Sequence, residues 1–279
     1  MRFGCCVSLP RAAPQVNGDR PSGMEARVAE LRRKLEHLKT LGYEFPEFGV
    51  GMVTRPSEPG ELDLLQSLVD ELQFRPVAFN AFVPPDIPLI GQRRDAEQIK
   101  DYVHLACEGV KRLGGRIVVF GSGAARRIPE GFPADEAWDQ AVEFMTWCSD
   151  IGQDYGITFA VEHLRRAETN LINSFGEALR LAKEVGRPNV KVLADYYHML
   201  EENEDLSSLE GARGWVVHVH VADNGRISPG KGGADFAALF RRLKAEGYQG
   251  GISIESRFDD FYKETEEAIG FLKQQWESC

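Results

Sequence analysis

Short apolar, β-branched runs alternate with longer stretches of helical periodicity along the whole chain. The runs predict strands over approximately 2–8, 47–53, 75–83, 115–121, 157–162, 190–195, 215–221 and 250–255. Between them lie helical patterns. One at about 24–41 has Val28, Leu31, Leu35 and Leu38 at helical spacing, and one at about 94–113 carries Ile99, Val103, Ala106, Val110 and Leu113 on one stripe. Fainter patterns fall near 60–72, 134–154, 174–186, 203–210, 234–246 and 260–276, the one at 203–210 being the shortest. Strands that read as continuous apolar runs are buried on both faces, the mark of a parallel sheet covered by helices. Eight strand–helix units predict closure into an α/β (β/α)8 TIM barrel. An open doubly wound sheet would need a glycine-rich phosphate fingerprint, which the sequence lacks. The 279 residues read as one domain of this kind, residues 1–279.

The loops divide unequally between the two ends of such a barrel. Pro/Gly-rich segments follow strands one, three and four, at Leu9–Gly23, Pro84–Gln92 and Gly121–Pro133. Connections at the other end, such as Gly114 or Gly247-Tyr248-Gln249-Gly250, are short. Long loops after strands sit on the face where barrels of this class build active sites.

Four residues on that face carry the chemistry. Glu162 ends Thr158-Phe159-Ala160-Val161-Glu162, and Asp195 ends Val190-Lys191-Val192-Leu193-Ala194-Asp195. His220 ends Val216-Val217-His218-Val219-His220, and Glu255 ends Gly251-Ile252-Ser253-Ile254-Glu255. A lone carboxylate at a strand end is usually a helix cap or a surface charge. Three carboxylates and an imidazole converging from four strand tips repel one another unless a cation lies between them. Oxygen-rich ligation with one imidazole suits Mn²⁺, Mg²⁺ or Co²⁺ better than structural Zn²⁺. Four protein ligands on an octahedral ion leave two places that an α-hydroxyketone fills through adjacent oxygens. The ion then acidifies the C–H beside the carbonyl and stabilises an enediolate, with a carboxylate on either side as base and acid.

Composition narrows the partners. A formal net charge of −10 argues against nucleic acid or an anionic membrane, since phosphate contacts need a basic footprint. No apolar stretch approaches a membrane span, and the amino terminus turns polar too soon for a signal peptide. The five cysteines are odd in number and lack zinc-ligand spacing, which fits reduced thiols and a cytoplasmic location.

Further polar residues stand at telling offsets. The segments Glu162-x5-Glu168, Asp195-x2-His198, His220…Arg226…Pro229-Gly230-x-Gly232 and Ile252-Ser253-Ile254-Glu255 are the most specific. In these the chain resembles the xylose-isomerase-like superfamily of barrels, and within it the ketose 3-epimerase branch, over essentially its whole length. The resemblance implies one divalent metal, Mn²⁺ before Mg²⁺ or Co²⁺, held by Glu162, Asp195, His220 and Glu255. It implies that Glu162 and Glu255 are the acid–base pair, and that Glu168, His198 and Arg226 contact the sugar or polyol substrate. Related barrels often form homo-oligomers. Two departures concern the substrate: His163 stands where the family often has Pro, and Gly225 separates Asn224 from Arg226.

The remaining candidates read more plainly. His218 precedes His220 by two, so it faces the same side one layer deeper, as a core or supporting histidine. His163 faces away from Glu162, toward the surrounding helices, and His37 and His104 read as surface residues. Arg126 and Arg127 meet either a substrate anion or only solvent. Tyr196, Tyr197 and Trp215 read as core aromatics. The leading expectation is thus a metal-dependent isomerase or epimerase of a ketose or polyol ketone. A keto-inositol-type dehydratase would use the same site. An apurinic-endonuclease-like hydrolase fits less well, because strands three and four lack the histidines a three-metal cluster needs. A sugar sensor that lost turnover is the non-enzymatic alternative.

Overall fold

The computed structural model describes residues 1–9 and 23–279, so most of the predicted Leu9–Gly23 loop lies outside the described residues. Eight parallel strands close into a barrel in sequence order, β8 returning to pair with β1. They are β1 (Arg2–Cys6), β2 (Phe45–Gly49), β3 (Ala78–Asn80), β4 (Ile117–Phe120), β5 (Thr158–Glu162), β6 (Val190–Asp195), β7 (Val216–Val221) and β8 (Gly251–Ile254). Around them lie helices α1 (Met24–Thr40), α2 (Gly51–Thr54), α3 (Glu61–Leu72), α4 (Ala96–Arg112), α5 (Ala134–Gly152), α6 (Phe175–Val185), α7 (Tyr196–Glu201), α8 (Phe236–Ala245) and α9 (Phe261–Glu277). The (β/α)8 barrel expected from the alternation is the fold observed.

The helices form where the stripes predict them. In α4 the Asp95 carboxylate caps the amino end by accepting from the Glu97 and Gln98 N–H groups, and Ile99, Val103, Ala106 and Val110 are buried against the barrel. Burial of this outer shell joins the helices to the sheet in one core. A separate, smaller set, Val119, Ala160 and Leu193, packs apart from it.

Two strands and one helix differ from expectation, and each has a local cause. The second strand runs Phe45–Gly49 rather than 47–53, because Val50 adopts a helical conformation and starts the single turn α2. The apolar run Val50-Gly51-Met52-Val53 therefore belongs to a helix. The third strand shrinks to three residues, ended by Ala81 at φ +49°. Between β6 and β7 the predicted helix at 203–210 is a 3₁₀ turn over Leu206–Leu209, and α7 begins directly after β6. Asp195 explains the early start: its carboxylate accepts from the His198 N–H at 3.0 Å and caps α7.

The barrel lumen is filled from below by an aromatic ring. Phe45 is fully buried and lies against Gly4 of β1, Gly251 of β8 and the His218 ring, 6.0 Å between centroids. Side chains at Gly4 or Gly251 would occupy the space of this ring. Above it the lumen turns polar. Glu47 of β2 reaches His218 and His220 of β7, and since β2 and β7 are not neighbours, these contacts cross the barrel. No helix among the described residues is long and apolar enough to cross a membrane. All five cysteines are free thiols. Phe45→Ala is expected to lower unfolding free energy by about 3–5 kcal/mol, the cost of an unfilled aromatic site. Denaturant titration reads it, and a loss under about 1 kcal/mol would show that the ring does not support the lumen.

Candidate metal centre

Adjacent strand ends bring the four candidate ligands together. Asp195 and His220 are register partners across β6 and β7, and the Glu255 N–H continues the β8 ladder by donating to the Val221 carbonyl at 2.9 Å. Each of Glu162, Asp195, His220 and Glu255 offers one atom to a cluster whose members lie within 4.8 Å of one another. His220 Nδ1 is the hub. It stands 3.0 Å from Glu162 Oε1, 3.4 Å from Glu255 Oε2 and 3.8 Å from Asp195 Oδ2. Glu162, Asp195 and His220 are buried, and Glu255 is partly open.

The electrostatics follow from crowding like charges away from water. Burial, with Glu162 and Glu255 nearby, pushes the Asp195 carboxyl well above the usual carboxylate range. Burial disfavours a charged His220 too, but Glu47 and Glu255 outweigh it and raise its pKa. Burial acts likewise against ionised Glu255, yet the charges of His220 and Arg226 hold it below its ordinary value. Three acidic groups and one imidazole aimed at a single point, with oxygen the commonest donor, form a set that fits a hard divalent cation.

Supporting residues fix each carboxylate. Arg226 donates to Glu255 Oε2 at 2.7 Å, and Asn80, at the end of β3, donates to Glu255 Oε1 at 3.0 Å. Gly121, just past β4, leaves room for Glu162: a β-carbon there would collide with Glu162 Oε2. Arg126 is fully buried and donates to the carbonyls of Phe120 at 2.9 Å, Glu162 at 2.8 Å and Ile172 at 3.3 Å. Its guanidinium therefore ties the ends of β4 and β5 to the loop that carries Glu168. Burial lowers its pKa to about 10, so it remains charged at neutral pH. Arg126 thus serves neither of the two roles the sequence suggested; it is a backbone clamp, and Arg127 donates to the Glu168 carbonyl at 2.8 Å.

The three expected substrate-contacting residues stand beside the cluster. Glu168 Oε1 accepts from Arg165 Nε at 2.9 Å and lies 3.6 Å from Arg226 Nη1. The rings and guanidinium groups stack, Arg165 and Arg226 both lying over Tyr197, at 5.4 Å and 5.1 Å. His198 Nδ1 accepts from the Arg165 N–H at 3.3 Å. That leaves the proton on Nε2, which is buried, has no hydrogen-bond partner among the described residues and lies 3.8 Å from Asp195 Oδ2. Burial lowers the His198 pKa to about 4, so the ring is neutral. Arg226 has φ +60° after Gly225 at φ +77°, so the extra glycine is absorbed in a left-handed turn. Asp223 braces that turn by accepting from the N–H groups of Asn224, Gly230 and Ala234, each at 2.9 Å.

Comparison with known proteins agrees with this geometry. The xylose isomerase-like TIM barrel family matches residues 35–275. The chain belongs to that family. Among curated relatives of the family, L-ribulose 3-epimerase of Mesorhizobium japonicum is 26% identical over 236 residues, 82% of this chain and 76% of that enzyme. Inosose isomerase of Halalkalibacterium halodurans is 25% identical over 262 residues, 88% of this chain and 89% of that enzyme. A shorter match, to 3-dehydro-D-guloside 4-epimerase of Escherichia coli (strain K12), is 39% identical over 103 residues, spanning 37% of this chain and 39% of that enzyme. Solved structures of the same fold include D-psicose 3-epimerase with D-tagatose from Clostridium cellulolyticum H10, at TM-score 0.80 and 17% identity, covering 99% of each chain.

Local pattern does not single out Glu47, because it starts this strand at 47 whereas β2 begins at Phe45. In the correct frame Phe45, Glu47 and Gly49 alternate with Pro46 and Phe48, and an acid between aromatics was the available signal. Asn80 carried no signal beyond its place at a strand end. Arg165 and Tyr197 were legible only as neighbours of the motif. His163, by contrast, lies buried on the helix side of β5, its ring 6.2 Å from Phe175, and burial lowers its pKa to about 3. Arg126→Met is expected to cost about 3 kcal/mol or more, since two or three buried carbonyls lose their donor. Chemical denaturation measures it, and a cost below about 1 kcal/mol would sink the clamp assignment.

Proposed function

We propose that this chain is a divalent-metal-dependent sugar isomerase or epimerase acting on a ketose or related polyol ketone. The observation that carries this reading is the approach of Glu162 and Glu255 to one imidazole nitrogen from different walls of the barrel, 3.0 Å and 3.4 Å away. Glu162, Asp195, His220 and Glu255 would hold the ion, Mn²⁺ before Mg²⁺ or Co²⁺. When bound, such an ion supplies Lewis acidity that makes the C–H beside a ketone carbonyl easier to deprotonate. The two glutamates then have complementary tasks. One accepts the carbon-bound proton and the other returns a proton from its own side, which inverts or relocates the stereocentre. Glu255 suits the base, because Asn80 and Arg226 occupy its oxygens and favour the ionised form.

Neighbouring groups orient the sugar. His198 is committed as acceptor at Nδ1, so its Nε2–H is available to donate to a substrate oxygen. Glu168 can accept hydrogen bonds from substrate hydroxyls, and Arg165 and Arg226 hold its carboxylate in place. Support comes from the relatives, which are named epimerases and isomerases. The inosose isomerase match brings cyclic polyol ketones within the same chemistry. A dehydratase would use the same base and release water, and product mass distinguishes it. A three-metal nuclease lacks support: the second candidate ligand group among the described residues, Cys6, Glu47 and His220, shares His220 with the first.

With Mn²⁺ in D₂O, the protein is expected to exchange solvent deuterium into at least one member of a panel of ketohexoses, 3-keto-glycosides and keto-inositols. Glu255→Gln is expected to slow that exchange by about 10²–10⁴-fold. Metal-loaded protein that exchanges none of the panel, or an unimpaired Glu255→Gln, overturns the assignment. Gly121→Ala should weaken Mn²⁺ binding in a direct titration by displacing Glu162, and unchanged affinity would show that Glu162 does not ligate.

A further inference from the structure

Below the cluster, the lumen holds a second buried arrangement that the proposed reaction leaves unexplained. Glu47 is fully buried, and both of its oxygens are taken by imidazoles. Oε1 lies 2.8 Å from His220 Nε2 and Oε2 lies 2.7 Å from His218 Nε2. His218 Nε2 is also 3.1 Å from Ser253 Oγ. The Cys6 thiol also lies within 4.8 Å of Glu47 and His220. An ionised carboxylate only accepts, so at each contact the imidazole nitrogen must donate. His220 Nε2 therefore carries a proton whatever the ring's charge, and in the neutral ring the lone pair falls on Nδ1. Nδ1 is the atom that faces Glu162, Asp195 and Glu255.

We propose that Glu47 is a positioning residue that fixes the tautomer and ring plane of His220, presenting its Nδ1 lone pair to a divalent cation. His218 has a matching task. It occupies the second oxygen of Glu47, so the carboxylate cannot swing away, and Ser253 limits the rotation of His218 in turn. The chain Ser253–His218–Glu47–His220 spans β8, β7 and β2 and delivers the orientation of one ligand across the lumen. Outer partners of this kind raise the basicity of a ligating histidine and hold its direction, and their loss costs metal affinity rather than fold.

The inference rests on the metal reading above, and its test separates the two. The full chain is titrated with Mn²⁺ while electron paramagnetic resonance follows the free ion, for the native protein and for Glu47→Gln. A glutamine has one oxygen and one NH₂, so it cannot accept from both imidazoles. The variant is expected to bind Mn²⁺ about 10–100-fold more weakly, with its metal-free melting temperature close to the native one. Native protein that binds no Mn²⁺ overturns the metal reading and this inference with it. Native protein that binds, beside a variant within about threefold of it, overturns the positioning role alone. Should Glu47→Gln fail to fold, ¹⁵N-histidine NMR of the native protein loaded with Mg²⁺ decides. The proton of His220 is expected on Nε2 with Nδ1 unprotonated, and a proton on Nδ1 refutes the proposal.

Discussion

Mutual repulsion among Glu162, Asp195 and Glu255 is the constraint on which the top of this barrel is built. Their oxygens converge within a cluster no wider than 4.8 Å, largely out of water. Two like charges about 4 Å apart cost about 4 kcal/mol even at an effective dielectric near 20. Protons are one way to offset this: burial beside Glu162 and Glu255 favours one on Asp195, and Glu47 and Glu255 favour one on His220. A divalent cation would be another, and it would favour the ionised form of all three carboxylates at once. The strain is tolerable because it sits on the most constrained part of the fold, where parallel ladders fix each strand end.

Holding those ends requires more than the ladders supply. Beyond the last paired residue, β4 and β5 run into loops whose carbonyls need donors. Arg126 provides three from one planar group, a task that suits guanidinium better than ammonium. Burying this charge is expensive, and Glu162, Glu177 and Glu168 offset part of the penalty by favouring the charged form. One residue therefore sets the backbone of a candidate ligand while adding to the field around it. Asp195 is economical in the same way: Oδ1 caps α7 and Oδ2 faces His220, so the cap fixes the direction of the ligand.

What the sequence disclosed follows the same physics. Glu162, Asp195, His220 and Glu255 were visible because each ends an apolar strand, where a polar residue has no cheap reason to be. Periodicity placed the long helices to within a residue or two, since α4 and α6 bury one stripe and expose the other. It failed where local pattern and tertiary context disagree. Val50-Gly51-Met52-Val53 has β-branched character but forms a helical turn, and that shift hid Glu47. Arg126 looked like any loop arginine, because two of its three carbonyl partners lie 36 and 46 residues away and leave no trace in local sequence. Asn80 was hidden for the same reason, its partner Glu255 lying 175 residues away along the chain.

The ends of β3 and β4 bear on how a fold shared by several chemistries becomes committed to one. A barrel could place additional ligands there. In this chain β3 ends in Asn80, which is occupied with Glu255, and β4 ends beside Gly121, whose missing side chain is the space Glu162 fills. Asn80 spends its amide N–H on Glu255, and Gly121 has no side chain to offer. Both strand ends are spent on the carboxylates of β5 and β8, and a histidine at either one would displace the group it now serves. The selection of a single cluster is thus made by residues that are not in the cluster, through room and hydrogen bonds, and the loops above inherit a site whose carboxylates are already oriented.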